Sequence, residues 1–154
     1  AHYKNTGPEI NKQFREYSRD DYWPEAFVAG TGTGGTIMGV GKYLQEKFPG
    51  MNLVAVEPAE SPVMSGGAPG LHGIQGIGDG SKFLVDLDKI DDIRVIPTEC
   101  GKAVARHLAR TQGLFVGISA GANVMASFQW MRDHGATNAI TILCDRGERY
   151  FSCL

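Results

Sequence analysis

Short apolar runs that alternate with helix-length amphipathic stretches predict an α/β fold: an open, mostly parallel sheet with flanking helices. Two further observations support that class. A strand runs through a glycine-rich turn into a helix in Glu25-Ala-Phe-Val-Ala-Gly30-Thr-Gly-Thr-Gly-Gly-Thr36. The chain's 21 glycines also cluster at 30–41, 66–80, 113–121 and 147, which suggests several strand-end loops gathered around one ligand.

Pro8 and Glu9 suit a first helical turn, and Ile10, Phe14 and Tyr17 recur at helical spacing, so a helix is expected over 7–18. The polar run Ser18-Arg19-Asp20-Asp21 ends it. The strand into the glycine turn follows, then a helix over 35–47 with Ile37, Val40, Tyr43 and Leu44 on one side. Pro49-Gly50 makes a turn into a buried strand at 53–56, closed by Glu57-Pro58. Residues 59–81 show no period, only Gly, Pro and Ser; a loop that long in a compact domain is usually functional. A strand is expected at 90–96, then a helix over 98–112 capped by Thr98, with Val104, Leu108 and Ala109 inward and Gly113 at its end. Leu114-Phe115-Val116 reads as a strand, 120–134 as a helix, and 139–144 as a last buried strand.

At 154 residues the chain has about the length of one domain. A net charge of −2 gives no electrostatic reason to expect nucleic acid or an anionic membrane as partner. The apolar runs fall short of a membrane span, and the opening residues do not read as a secretory signal. Cys100, Cys144 and Cys153 are widely spaced, an odd number, and read as small buried structural thiols in a reducing compartment, by default the cytoplasm. No metal site is expected.

The 25–36 stretch is a phosphate cradle by its chemistry. Glycines let the backbone approach a ligand, peptide N–H groups converge at a helix N-terminus, and Thr33 and Thr36 add hydroxyls. Two readings of that phosphate compete. Gly30, Gly32 and Gly35 satisfy G-x-G-x-x-G, and Glu57 ends the next strand where an acid could bind a ribose, so an NAD-binding Rossmann-type oxidoreductase domain is one. Glu57 could equally be a solvated strand end. The other is a phosphomonoester such as pyridoxal phosphate, whose dianionic terminus rewards many donors in one cup. Ser119, read from its residues alone, is most simply a helix N-cap.

The second reading gains from a resemblance. Thr6-Gly-Pro-Glu-Ile10, Gly32-Thr-Gly-Gly-Thr36, Val56-Glu-Pro-Ala-Glu-Ser-Pro62, Ser65-Gly-Gly67, His72-Gly-Ile-Gln-Gly-Ile-Gly78, Gly117-Ile-Ser-Ala-Gly-Ala-Asn123, and Leu143-Cys-Asp145 through Gly147-Glu-Arg-Tyr150 stand in order along nearly the whole chain. Together they resemble the C-terminal half of a cysteine synthase (O-acetylserine sulfhydrylase-like), in the fold-type II family of pyridoxal-phosphate-dependent enzymes. The resemblance implies that Gly32, Thr33, Gly34, Gly35 and Thr36 hold the phosphate of pyridoxal 5'-phosphate. It implies that Ser119 bonds the pyridine nitrogen, and that Gln75, Gly76, Ile77 and Gly78 form a loop closing over the amino-acid substrate. His2 matches a position near the cofactor only loosely and is expected to be disordered.

The departures from the family pattern matter as much. None of Lys4, Lys12, Lys42, Lys47, Lys82, Lys89 and Lys102 has the Ser-x-Lys-Asp/Asn-Arg context of the family's Schiff-base lysine, so no catalytic residue is expected in this chain. Residues 1–154 are accordingly expected to be a partial cofactor-binding domain whose lysine-bearing N-terminal half is absent. The chain would be a fragment or one part of a split enzyme, inactive alone. Complete, it would be a cytoplasmic homodimer replacing the leaving group of an activated serine with sulfide to give cysteine. A non-catalytic remnant module is the remaining alternative. Ser81-Lys82-Phe83 replaces the usual Phe-x-Pro, and Arg15 to Trp23 looks like a short insertion; both bear on substrate choice.

Overall fold

Alternation at a period of two sorts the strand residues onto two faces, and each face is covered by helices. Ala26, Val28, Val54, Val56 and Ile96 point one way, into a core completed by Ile118, Ala122, Ala126 and Trp130. Phe27, Ala29, Leu53 and Ala55 point the other way, against Ile37, Val40 and Leu44, with Ile10 and Phe14 behind. A side chain of this kind, fully buried, stabilises the fold by roughly 1.5–3 kcal/mol, and the two faces together make a three-layer α/β sandwich.

The computed structural model describes residues 1–18, 22–81 and 83–153. Its elements are α1 (Thr6–Tyr17), β1 (Ala26–Gly30), α2 (Gly35–Lys47), β2 (Asn52–Pro58), β3 (Asp92–Ile96), α3 (Thr98–Gln112), α4 (Ile118–His134) and β4 (Ile140–Thr141). The sheet order is β3-β2-β1-β4, and every pairing is parallel. Register sets Ala26 against Asn52 and Phe27 against Ile140, so the C-terminal ends of the strands share one edge. Among the described residues, no helix is long and apolar enough to cross a membrane.

The expected α/β class holds, and so do the expected helices, within two residues of their bounds. Arg19, Asp20 and Asp21, read as a helix stop and part of an insertion, and Lys82, read as part of a substitution, lie outside the described residues.

Three expectations need correction. Leu114-Phe115-Val116 is not a strand: Val116 makes only an isolated antiparallel bridge with Arg146, because Gly113 in the left-handed region (φ 68°) turns the chain straight toward α4. The last strand is two residues long and half-buried rather than six and buried, since β4 stands at the sheet's edge. Thr98 does not cap α3 from outside. The Glu60 carboxylate accepts its N–H at 2.9 Å, and the inward face is Gly101, Ala105 and Leu108 rather than Val104 and Ala109.

α3 and α4 approach closely through glycine. A Cβ on Gly121 would lie 2.1 Å from the Gly101 carbonyl oxygen, so backbones meet where side chains usually intervene. That contact sets the first turn of α4, and with it Ser119, against the sheet.

Candidate functional site

At the C-terminal end of β1 the chain is pinned and then released. The Thr31 N–H and hydroxyl both donate to the Val56 carbonyl, at 3.1 and 3.2 Å, which fixes the strand end to β2. The turn that follows admits only glycine at its tightest point. Gly34 is left-handed (φ 85°), and a Cβ there would sit 2.7 Å from Val85 Cγ2 and 2.9 Å from the Val85 nitrogen. A Cβ on Gly32 would meet the Gly76 carbonyl oxygen at 2.9 Å. α2 then starts with no side-chain cap and no acidic residue in its first turn. Among the described residues, the amides of Gly32, Thr33, Gly34 and Thr36 find no protein acceptor, and Gly35 has only a long bond from its amide to Thr33 Oγ1 at 3.5 Å. Open N–H groups at the positive end of a helix dipole are suited to an anion.

This turn faces a cavity of about 360 Å3. Its lining has three parts, which we call one wall (Gly32 to Thr36), a roof (Gln75 to Ile77) and a second wall (Ser119, Cys144 and Asp145). Nine of the ten residues expected at the site therefore line one space. Gly78 is the exception. It sits behind the roof, donating its N–H to the Thr31 carbonyl at 2.9 Å and so tying the loop to β1.

The second wall brings two ionisable side chains, Cys144 and Asp145, to the cavity. Ser119 is 3% exposed, in the first turn of α4 but not at its cap, which is Gly117; the N-cap reading is corrected, and its hydroxyl lies beside the Cys144 thiol. Partial desolvation of the thiol group, reinforced by the Asp145 charge, pushes the Cys144 pKa up, which disfavours the thiolate. Cys144 is exposed at the cavity and not a buried structural thiol as expected; Cys100 and Cys153 are half-buried. The Asp145 carboxylate accepts the Tyr150 hydroxyl, and burial together with that carboxylate pushes the Tyr150 pKa up to about 12. Asn123 is fully buried; its amide donates to the Ile142 carbonyl at 2.9 Å, holding the segment after β4 against α4.

Two readings made from residues alone fail here. Glu57 is neither a ribose ligand nor a solvated strand end. It is 2% exposed, and its carboxylate accepts the amides of Met64 and Ser65 at 2.7 and 2.9 Å together with the Ser65 hydroxyl. With both oxygens engaged and outside the cavity, it has nothing left for a dinucleotide, and the Rossmann-type reading falls with it. His2 is not disordered: its ring contacts the Thr6 hydroxyl at 3.1 Å and the Thr36 hydroxyl at 3.5 Å, beside the cradle. Asp79 was missed altogether. It lines the cavity, and its only signal in the sequence is a carboxylate between Gly78 and Gly80.

The family model for pyridoxal-phosphate dependent enzymes matches residues 1–145. The chain belongs to that family. A cysteine synthase of Staphylococcus aureus is 39% identical over 156 residues, covering 99% of this chain and 48% of that protein. Among solved structures, a hydrogen sulfide-producing enzyme of Fusobacterium nucleatum superposes with a TM-score of 0.91 at 35% identity, over 99% of this chain and 45% of that one. O-acetylserine sulfhydrylase isoform 3 of Entamoeba histolytica gives 0.86 at 36% identity, over 96% and 43%. The chain spans about half the length of the curated relatives it matches. Family membership and fold thus agree with the resemblance drawn from the motifs, and the cofactor of the family is pyridoxal 5'-phosphate.

Proposed function

We propose that this chain is the cofactor-holding part of an enzyme that, when complete, makes cysteine from an activated serine such as O-acetylserine and sulfide. The residues present fit the cofactor. A run of amides mostly without protein acceptors among the described residues, in a turn whose glycines allow its close approach to Val85 and the Gly76 carbonyl, lines the same cavity as the buried Ser119. Gly32, Thr33, Gly34, Gly35 and Thr36 would hold the phosphate, and the Ser119 hydroxyl would bond the pyridine nitrogen. Bound there, pyridoxal phosphate supplies the electron sink that β-replacement on an amino acid needs.

The chain's own residues bind and orient; they do not carry the proton transfer. Gln75 to Gly78 would close over the substrate and exclude water, with Gly76 and Gly78 in the left-handed region that a tight roof requires (φ 88° and 71°). The observation that carries this reading is the convergence of cradle, loop and Ser119 on one cavity that contains no lysine among its described lining residues. No lysine of this chain stands in the sequence context of the family's Schiff-base lysine, so in this reading that lysine comes from a further segment or a second chain, and this chain alone is inactive. Exposed Phe115, Phe128, Leu143 and Phe151 are apolar surface for such a segment, or a second subunit, to cover. The three free thiols suit a reducing compartment, the cytoplasm.

The test is reconstitution. The chain is mixed with pyridoxal phosphate and the lysine-bearing N-terminal half of a cysteine synthase, and visible absorbance and cysteine formation are followed. Absorbance and turnover that need both halves support the reading. Turnover by the chain alone, or none from a mixture that binds the cofactor and assembles, contradicts it.

A further inference from the structure

The substrate loop would wander over its cavity if its glycines were left to themselves, yet its path is fixed at three points. Before the loop, the Gly73 amide donates to the Thr98 hydroxyl at 2.9 Å, which ties the chain to the start of α3. After it, the Gly78 amide donates to the Thr31 carbonyl at 2.9 Å, which ties it to β1. The third point is His72, whose ring reaches both ends of the turn. Its Nδ1 is 3.2 Å from the Ile74 nitrogen, and its Nε2 is 2.9 Å from the Gly78 carbonyl oxygen.

Those two partners settle the ring's proton. A peptide N–H only donates, so Nδ1 must be bare; a carbonyl only accepts, so Nε2 must carry hydrogen. One neutral tautomer makes both bonds. The ring is also closely packed: a Cβ on Gly78 would lie 2.9 Å from Nε2 and 2.6 Å from Pro58 Cγ, so nothing larger than glycine fits between ring and strand.

We propose that His72 is the positioning residue of the substrate loop, a clamp that joins the amide of Ile74 to the carbonyl of Gly78 and so holds Gln75 and Gly76 over the cavity. It touches neither cofactor nor substrate. It acts through the loop it encircles, and through Gly78 it couples the roof to the end of β1, where the cradle begins. Its value for closure over an amino acid rests on the function proposed above; the clamp itself does not.

Amide exchange at Ile74 and the carbonyl 13C resonance of Gly78 test it, one readout for each bond, because the Gly78 amide itself is held by the Thr31 carbonyl. His72→Asn retains a short acceptor for Ile74 but cannot reach Gly78. His72→Gln retains a longer donor for Gly78 but places no acceptor at Ile74. The expected pattern is crossed. In His72→Asn the Gly78 carbonyl resonance moves upfield with the Ile74 amide still protected. In His72→Gln the Ile74 amide exchanges at least about tenfold faster with the Gly78 carbonyl resonance near its wild-type position, and His72→Ala shows both changes. Amides of β1 and β2 report that each variant is folded. An unmoved Gly78 carbonyl resonance in His72→Asn, or the same change of both signals in all three variants, overturns the proposal. Pyridoxal phosphate binding, measured separately on the wild type, keeps the two ideas apart. Its absence removes the cofactor reading and leaves the clamp, whereas an uncrossed pattern removes the clamp alone.

Discussion

The wall of the cavity formed by β1 and α2 comes from one unbroken stretch, whereas the second wall is assembled from residues far apart in the chain. In the first, strand, turn and helix start follow one another within residues 25–36, and glycines let that turn pack against Val85 and the Gly76 carbonyl. In the second, the first turn of α4 meets Cys144, Asp145 and Tyr150 only because Asn123 grips the Ile142 carbonyl and the Gly117 amide bonds the Asp145 carbonyl at 3.0 Å. A wall drawn from one stretch is sensitive to single backbone positions within it. An assembled wall depends on the packing behind it.

The largest effect should come from the packing that supports the assembled wall. Gly121→Ala places a methyl 2.1 Å from the Gly101 carbonyl and forces α3 and α4 apart. A loss of about 3 kcal/mol or more in urea unfolding is expected, with the region around Ser119 losing exchange protection. A change under about 1 kcal/mol would mean that the helix contact does not hold this wall.

On the local wall, Gly34→Ala combines left-handed backbone with overlap on Val85, for an expected loss of roughly 2–3 kcal/mol. Its distinctive sign is that pyridoxal phosphate binding should disappear while the amides around Ser119 remain protected. Retained binding would break the comparison, because the cradle would then not be the phosphate site.

Tyr150 probes the assembled wall by pH. Its pKa is raised to about 12 in the fold, so the folded chain keeps a proton that the unfolded chain gives up near pH 10. Its stabilising contribution is therefore complete below about pH 10 and is lost as pH rises toward 12, on the order of 1–3 kcal/mol. Tyr150→Phe should flatten that alkaline loss and cost stability at neutral pH by leaving Asp145 without its donor. An unchanged alkaline profile would show that the Tyr150–Asp145 pair does not hold this wall.

The smallest effect is expected at Glu25, whose carboxylate accepts the Thr137 amide at 2.8 Å and the Thr137 hydroxyl at 2.9 Å, joining the start of β1 to the approach to β4. These bonds, that of the Thr137 amide foremost, hold its pKa below the usual carboxylate range. Its contribution is present at neutral pH and lost as pH falls through the folded-state pKa. Glu25→Gln should cost less than about 1 kcal/mol and reduce the acid dependence. A larger cost would make the edge strand more important than its two residues suggest.

The difference between the walls also explains what the sequence could reveal. The glycine turn is legible because its glycines and threonines are consecutive between a strand and a helix start, although the neighbours that exclude a side chain at Gly32 and Gly34 (the Gly76 carbonyl and Val85) lie far along the chain. Helix periods were legible for the same reason. The strand expected at 114–116 was not, because Leu114 and Phe115 are apolar and β-prone, yet they stay exposed and the sheet has no place for them. Glu57 misled because a carboxylate at a strand end looks the same in sequence whether it meets a ribose or the folded-back amides of Met64 and Ser65. His2 and His72 each have one near partner, Thr6 and the Ile74 amide, but nothing local signals the second, Thr36 in α2 for the first and the Gly78 carbonyl across a glycine turn for the second. Motif order along the whole chain supplied what local pattern could not.

The most direct test of the central claim, that the two walls together hold pyridoxal phosphate, is an amide NMR titration of the chain with that compound. Shifts are expected at Gly32 to Thr36 and at Ser119, with the amides around Glu57 unmoved. Shifts confined to Glu57 and the 61–67 segment, or a response to NAD in place of pyridoxal phosphate, would contradict it.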